Sequence, residues 1–407
     1  MALSFRLAAL ASAVALAVGV ALPLRAADEP KPAAPPAEVK EVMGKPIDLV
    51  ICLDVSGSMD GLIASAKIQL WNVVNELARI KPTPNLRVGI YAYGATRFDA
   101  KKGWVNKEVD LTEDLDEVYK VLNALKTGGG DEYVARVTKT AMDEQKWSTD
   151  KDALKVIFVC GNEPVGQDKQ VNLEDVAAQA KKNGIVVNTI YCKWGHDTEI
   201  PGWEQFAKDC GGRHVNIDQN KATQQVVVKT EFDDQIVKLS EELNKTYVAY
   251  GAEGKKKAEN QAAQDKNAVE APRPTTAPGG VPAPPVAAIE RGVSKAGALY
   301  RNGTWDLVDK MKEKDFDITK IKEEDLCDEL KKIKPEERLA YLKKKAEERA
   351  ELQKKINDLA AKRQKKVDEE RAKTTKTDAE KALDEAFKAV IRDQAKAKGF
   401  EVAPEKK

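Results

Sequence analysis

Ile47-Asp48-Leu49-Val50-Ile51-Cys52-Leu53 runs directly into Asp54-Val55-Ser56-Gly57-Ser58, and a long amphipathic segment follows. The first seven residues are apolar almost throughout, which suits a strand covered on both faces of a mainly parallel sheet. The next five read as a tight turn carrying one carboxylate and two hydroxyls. Residues 61–80 then place Leu62, Ala66, Leu70, Val73, Val74 and Leu77 at helical spacing, until Pro82 and Pro84 end the helix. Such a turn has two readings. Asp, Ser and Gly serve as caps and turn formers in many strand-to-helix connections. They also supply hard oxygen ligands of the kind Mg²⁺ takes, beside the orphan donors of a helix N-terminus.

The alternation continues along the chain. Residues 86–93 and 104–111 read as a second and third strand, the short connection making the third an antiparallel neighbour. An amphipathic helix at 115–125 leads to Lys126-Thr127-Gly128-Gly129-Gly130-Asp131-Glu132. Three glycines are costly in regular structure, so this is a loop whose backbone approaches something closely or takes positive φ. A helix at 133–145 precedes a strand at 154–160, which ends on Gly161-Asn162-Glu163-Pro164. A helix at 173–183 stopped by Gly184, a strand at 185–192, a helix at 203–208, a short strand at 213–217 and a closing helix at 222–247 complete the region. This order predicts an α/β, doubly wound, mostly parallel sheet with its sites at the carboxyl ends of the strands. Three strand-end loops are rich in oxygen ligands: the Asp-x-Ser-x-Ser turn, the glycine loop with Asp131, and Gly161-Asn162-Glu163.

Residues 47–58, the Thr127-Gly-Gly-Gly-Asp131 loop, the Phe158-Val-Cys-Gly-Asn-Glu163 strand end and Gly211-Gly-Arg-His-Val-Asn-Ile-Asp218 together resemble a von Willebrand factor type A domain, over about residues 42–250. In that family the opening turn forms a metal-ion-dependent adhesion site. The resemblance implies that Asp54, Ser56 and Ser58 hold Mg²⁺, or Mn²⁺ or Ca²⁺, and that an acidic side chain of a partner protein completes the coordination. Two loops depart from the family pattern. The second loop normally supplies a Thr after its glycines; here Asp131 follows them and Thr127 precedes them, so Asp131 is the candidate ligand and Thr127 its substitute. The third loop normally opens on Asp, where this chain has Gly161, leaving Asn162 or Glu163 to reach the ion. A second carboxylate on the metal strengthens cation affinity and blunts attraction for an acidic ligand.

A catalytic reading lacks its base. Ser56 and Ser58 need one nearby to act as nucleophiles, and the chain has two histidines, His196 in a loop and His214 in a short strand. Neither a G-x-S-x-G elbow nor a GxxxxGK[ST] phosphate loop occurs. The expectation is therefore a binding protein and not an enzyme.

The remaining segments set the context. Residues 1–26 carry Arg6, an apolar run at 7–22 and small residues suited to cleavage, the pattern of a secretory signal peptide, so the mature chain is expected outside the cytoplasm, periplasmic or secreted, with no stable membrane span. Residues 27–41, rich in Pro, Ala and charge, read as a flexible tether, and the Ala/Pro-rich 251–289 as a disordered linker. Residues 290–407 read as a charged helical region, its long helix carrying patchy heptads suited to a coiled coil or to self-association. Leu339-Leu342-Ala346 and Leu352-Ile356-Leu359 are out of register, and extending the second set backwards lands on Lys345 and Arg349. Five cysteines leave at least one unpaired within the chain, with Cys192 and Cys210 the best disulfide pair. A formal net charge of +1, and basic runs interleaved with Glu and lacking aromatics, argue against nucleic acid. The alternative to a metal-dependent binding protein is an envelope scaffold whose helical tail makes the contacts, with the metal site modified or unused.

Overall fold

The computed structural model describes residues 44–193, 197–218, 228–271, 284–373 and 383–402. The expected signal peptide and tether, and His196, lie outside them. Six strands form one sheet in the order β3-β2-β1-β4-β5-β6: β1 (Pro46–Asp54), β2 (Asn85–Tyr93), β3 (Val105–Thr112), β4 (Leu154–Gly161), β5 (Ile185–Lys193) and β6 (His214–Asp218). All pairings are parallel except β2 with β3. The sheet therefore matches the doubly wound expectation, with its single antiparallel strand at the edge reached by the short connection.

Strand β1 is central, and its alternation shows why an apolar run belongs there. Ile47, Leu49, Ile51 and Leu53 enter one buried cluster, whereas Val50 and Cys52 enter the other. A strand covered on both faces keeps apolar residues in both registers. Its one internal acid, the fully buried Asp48, is matched by a bidentate Arg87 guanidinium at 2.8 Å and by the Ser148 N–H at 2.6 Å.

Helices α1 (Asp60–Leu77) and α2 (Leu115–Ala124) cover the first face, and α3 (Val134–Glu144), α4 (Leu173–Asn183) and α5 (Ile200–Asp209) the second. Local signals set their ends. Asp114 accepts from the N–H groups of Asp116 and Glu117 to cap α2, and Asn172 caps α4 through the Glu174 N–H. Gly184 ends α4 at φ 62°.

The carboxyl-terminal half departs from the sequence expectation. Residues 251–289 were expected as a linker but contain α7 (Gly254–Glu270) and the start of α8 (Val286–Lys295), with 272–283 outside the described residues. The closing helix of the sheet region is α6 (Asp233–Asn244), shorter than the expected 222–247. Short helices α9 (Leu307–Lys310) and α10 (Asp328–Lys331) precede α11 (Pro335–Lys373) and α12 (Leu383–Ala397). The described residues all belong to one compact unit, not to a domain and a separate tail. Helix α12 places Phe387 against Phe158 of β4, ring centroids 4.2 Å apart, and pairs Arg392 with Glu76 of α1 at 2.6 Å.

Paired charge explains what composition concealed. In α7, Asp265 meets Arg291 at 2.5 Å and Lys295 at 3.0 Å, and Arg291 reaches the buried Asp116 of α2 at 2.6 Å. In α11, Leu342, Arg349, Ile356 and Arg363 are all buried at an unbroken spacing of seven. Arg349 pairs with Asp306 at 2.6 Å over the Tyr247 ring, and Arg363 with Asp233 at 2.9 Å and Glu290 at 2.7 Å. The heptad register thus runs through the two arginines, and the seam expected to pair in a coiled coil faces α6, α8 and α9 of the same chain.

All five cysteines are free thiols, which corrects the expected Cys192–Cys210 disulfide. Cys192 belongs to the cluster on one face of the sheet and Cys210 to the cluster on the other. Burial raises both thiols well above their usual value, as expected for packed, inert side chains.

Candidate functional site

The parallel strands β1 and β4 end side by side, and the turn after β1 begins α1. There the Ser56 N–H donates to Asp54 Oδ1 at 2.8 Å, the Ser56 and Ser58 hydroxyls stand 3.2 Å apart, and the Asn162 amide nitrogen donates to Ser58 Oγ at 3.2 Å. Asp54 is 1% exposed, and among the described residues its Oδ2 has no hydrogen-bond partner. An orphaned carboxylate oxygen in a buried setting is costly unless a cation or donor meets it. Burial pushes the Asp54 carboxyl up to about 8, and Glu132 and Glu163 add to the rise against the lowering effect of Ser56.

The glycine loop closes over this turn. The Gly128 N–H donates to the Val55 carbonyl at 2.8 Å, the Thr96 N–H donates to Gly129 O at 2.5 Å, and a Cβ on Gly130 would stand 2.9 Å from the Ala95 backbone. This close approach is the reason for glycine there. It also decides which acid enters the site. Asp131 is exposed, and its Oδ2 accepts from Trp104 Nε1 at 3.3 Å and from the Tyr133 hydroxyl at 3.1 Å. Thr127 is turned to Asp60 of α1. Neither sequence candidate is brought to Asp54; Glu132, the next residue, is. Its Cγ and Asp54 Oδ1 both lie within 3.0 Å of the point where a Cβ on Gly94 would sit. Burial, reinforced by Glu163, pushes the Glu132 carboxyl up to about 7.

The third loop is equally particular. A Cβ on Gly161 would lie 2.6 Å from the Tyr93 hydroxyl and 3.1 Å from Asp54 Oδ2, so this chain has no room for the family's Asp. The Tyr93 hydroxyl instead donates to Cys160 O at 3.0 Å. Glu163 is held by Trp203 Nε1, which donates to its carbonyl at 2.8 Å, and by Gln167 Nε2, which donates to its carboxylate at 3.1 Å. The Glu132 N–H donates to Gln167 Oε1 at 3.2 Å, so Gln167 ties the second and third loops together.

The geometry therefore gathers Asp54, Ser56, Ser58, Asn162 and Glu132, with Glu163 next to them. Glu132 stood in the loop that sequence reading singled out, but a one-residue choice between adjacent acids depends on the path the glycines take. Among the described residues no group of three or more His, Cys, Asp and Glu side chains is close enough to hold a metal, so any cation here relies on the serine hydroxyls. The donor set, two carboxylates and two hydroxyls with one carboxylate oxygen unsatisfied, fits a hard divalent cation. His214 is elsewhere, its ring nitrogens bonded to Thr189 and Asn216 at 2.8 Å each.

Residues 48–229 match the family model of the von Willebrand factor type A domain. The chain carries a von Willebrand factor type A domain. No curated protein matches the sequence. Among solved structures the chain is similar to the SpRpn10 VWA domain, with TM-score 0.34 and 16% identity over 43% of this chain and 88% of that one. It is also similar to proximal thread matrix protein 1 from the mussel byssus, with TM-score 0.33 and 12% identity over 44% of this chain, spanning 43% of the mussel protein. In this type A domain β1 supplies the opening turn, and helices α8 and α12, which follow the matched residues in sequence, help to close one face of its sheet. Among the described residues no helix is long and apolar enough to cross a membrane.

Proposed function

We propose that this is an exported protein whose type A domain binds a protein partner with the help of a divalent cation, Mg²⁺ or a similar hard ion, at a metal-ion-dependent adhesion site. Asp54, Ser56 and Ser58 hold the ion, and Glu132 takes the role expected of Asp131. The observation that carries this reading is the buried, unpartnered Asp54 Oδ2 beside two converging serine hydroxyls. When bound, the cation supplies an electrophilic centre to which a partner oxygen coordinates. The protein's own contribution is to fix the donors: the Ser56 N–H orients Asp54, Asn162 orients Ser58, and Gln167 ties the Glu132 and Glu163 loops together.

The site is read as binding and not catalytic, since the histidine inside the described fold is engaged with Thr189 and Asn216. Export rests on the leader pattern in residues 1–26. The scaffold alternative, with a free helical tail making the contacts, finds less support, because α11 and α12 spend their apolar faces on the rest of the chain.

The test is partner retention by the full-length chain from an extracytoplasmic extract. Retention is expected in Mg²⁺ and lost both in chelator and in Asp54→Ala. Retention that survives chelator and Asp54→Ala, yet disappears when the surface of α11 is altered, would overturn the reading in favour of the scaffold.

A further inference from the structure

The loop that follows β2 is pinned to the glycine loop beside the metal-binding turn. The Phe98 N–H donates to Ala95 O at 2.9 Å, and the Thr96 N–H donates to Gly129 O at 2.5 Å. Arg97 stands in this turn and is exposed. Its guanidinium lies over the Phe98 ring, 4.4 Å from the centroid, and a Cβ on Gly128 would come within 3.3 Å of its Nη1. Gly128 in turn donates to the Val55 carbonyl of the metal-binding turn at 2.8 Å, so one residue separates the guanidinium from that turn. Elsewhere in the fold arginine is spent on carboxylates: Arg87 on Asp48, Arg136 on Asp168, and Arg349 on Asp306. Among the described residues Arg97 has neither a hydrogen bond nor an ion pair. The acids nearby are engaged with other groups, Asp99 with the Lys101 N–H at 2.9 Å and Asp131 with Trp104 and Tyr133.

We infer that Arg97 is a second anchor for the partner: its guanidinium receives a carboxylate of an acidic protein segment that reaches the ion with a neighbouring oxygen. The inference rests on the proposed cation-assisted binding and adds the residue that selects the partner. Asp54 and Glu132 match the charge of a divalent ion, so the metal alone gives an anionic segment little net attraction. Arg97 supplies the missing positive charge. A guanidinium takes a carboxylate through two parallel N–H···O bonds, and the Phe98 ring fixes its plane in advance. That preorganisation matters because a flexible, exposed ion pair contributes little to binding. The exposed Lys101 and Lys102 stand on the same loop and extend the positive field without fixing a geometry. The bare Gly128 has a role here too, since it leaves the guanidinium its seat against the glycine loop.

The experiment uses the full-length chain in Mg²⁺ and two labelled hexapeptides, one alternating Gly with Glu and one alternating Gly with Gln, read by fluorescence anisotropy. The glutamate peptide is expected to bind at least about tenfold more tightly. Arg97→Gln should weaken it by about tenfold and leave the glutamine peptide unchanged. Arg97→Lys, which keeps the charge and loses the planar fork, should weaken it by about threefold. Because Arg97 is exposed and unpaired, both variants should keep the wild-type melting temperature and the Mg²⁺-induced thermal shift. Paired substitutions Lys343→Gln and Lys344→Gln on the exposed face of α11 control for general charge and leave the affinity unchanged. Equal binding of the two peptides, glutamate binding indifferent to Arg97→Gln, or an equal loss in the α11 control would overturn the inference. A Mg²⁺ shift without a glutamate preference overturns it and leaves the metal reading standing. A glutamate preference that depends on Arg97, with no Mg²⁺ shift in the wild type, supports the anchor and rejects the metal reading alone.

Discussion

Replacing Asp54 with Asn tests the energetic logic of the site in the cation-free protein. The amide keeps the side-chain shape and removes an ionisable group that is 1% exposed and unpartnered at Oδ2. Burial raises the folded-state pKa from 3.8 to about 8. Because that value lies above the unfolded one, the folded chain holds the proton more tightly, and stability is lost as pH rises from 3.8 through 8. The loss amounts to about 4 kcal/mol at pH 7 and about 2 kcal/mol at pH 5. With a folded-state pKa of about 8 the wild-type carboxyl is mainly protonated at both pH values, so the Ser56 N–H meets a neutral acceptor before and after the substitution. The expected gain in chelator at pH 7 is about 4 kcal/mol, which for a chain of this size is a rise in Tm of about 5 °C. The gain should shrink to about 2 kcal/mol at pH 5. Calorimetry of both proteins in chelator at the two pH values decides the matter. A variant less stable than the wild type at pH 7, or a difference that does not change with pH, would refute the claim that Asp54 is a carboxylate awaiting a cation.

Three further outcomes follow from the geometry. Glu132→Gln should weaken Mg²⁺ affinity by at least about tenfold, whereas Asp131→Asn, whose carboxylate serves Trp104 and Tyr133, should change it by less than about twofold; a calorimetric titration separates the two. Gly161→Asp, which would restore the family's third-loop acid, should instead destabilise the chain by about 2 kcal/mol in denaturant melts, because its Cβ meets the Tyr93 hydroxyl and Asp54 Oδ2. Arg349→Ala strands the buried Asp306 and should cost about 3–5 kcal/mol, far more than an exposed-face substitution on α11 such as Glu347→Ala.

Much of this molecule is legible in its sequence because its core obeys simple periodicity. The buried run at 47–53 announced a central parallel strand, and the short return to residues 104–111 announced an antiparallel edge, which are β1 and β3. Asp54, Ser56 and Ser58 were readable for the same reason: a turn after such a strand places its oxygens at the sheet's carboxyl edge. What escaped depends on contacts between distant residues. The choice of Glu132 over Asp131 is made by the contact of Gly130 with Ala95, thirty-five residues earlier in sequence. The helix of residues 254–270 looks like linker by composition because its burial is achieved through ion pairs, such as Asp265 with Arg291 and Lys295. The heptad of α11 looked broken at Arg349 because an arginine reads as surface until Asp306 is seen beneath it. The same contacts mean that a fragment ending at residue 250 would lack α8 and α12, and with them Phe387 over Phe158, so binding experiments call for the full chain.

The most direct measurement is a calorimetric titration of Mg²⁺ into the chelator-stripped full-length protein, run beside Asp54→Asn. The account predicts one cation bound per wild-type chain, with a matching rise in thermal stability, and no binding heat in the variant. Absence of binding by the wild type, or equal binding by Asp54→Asn, would contradict it.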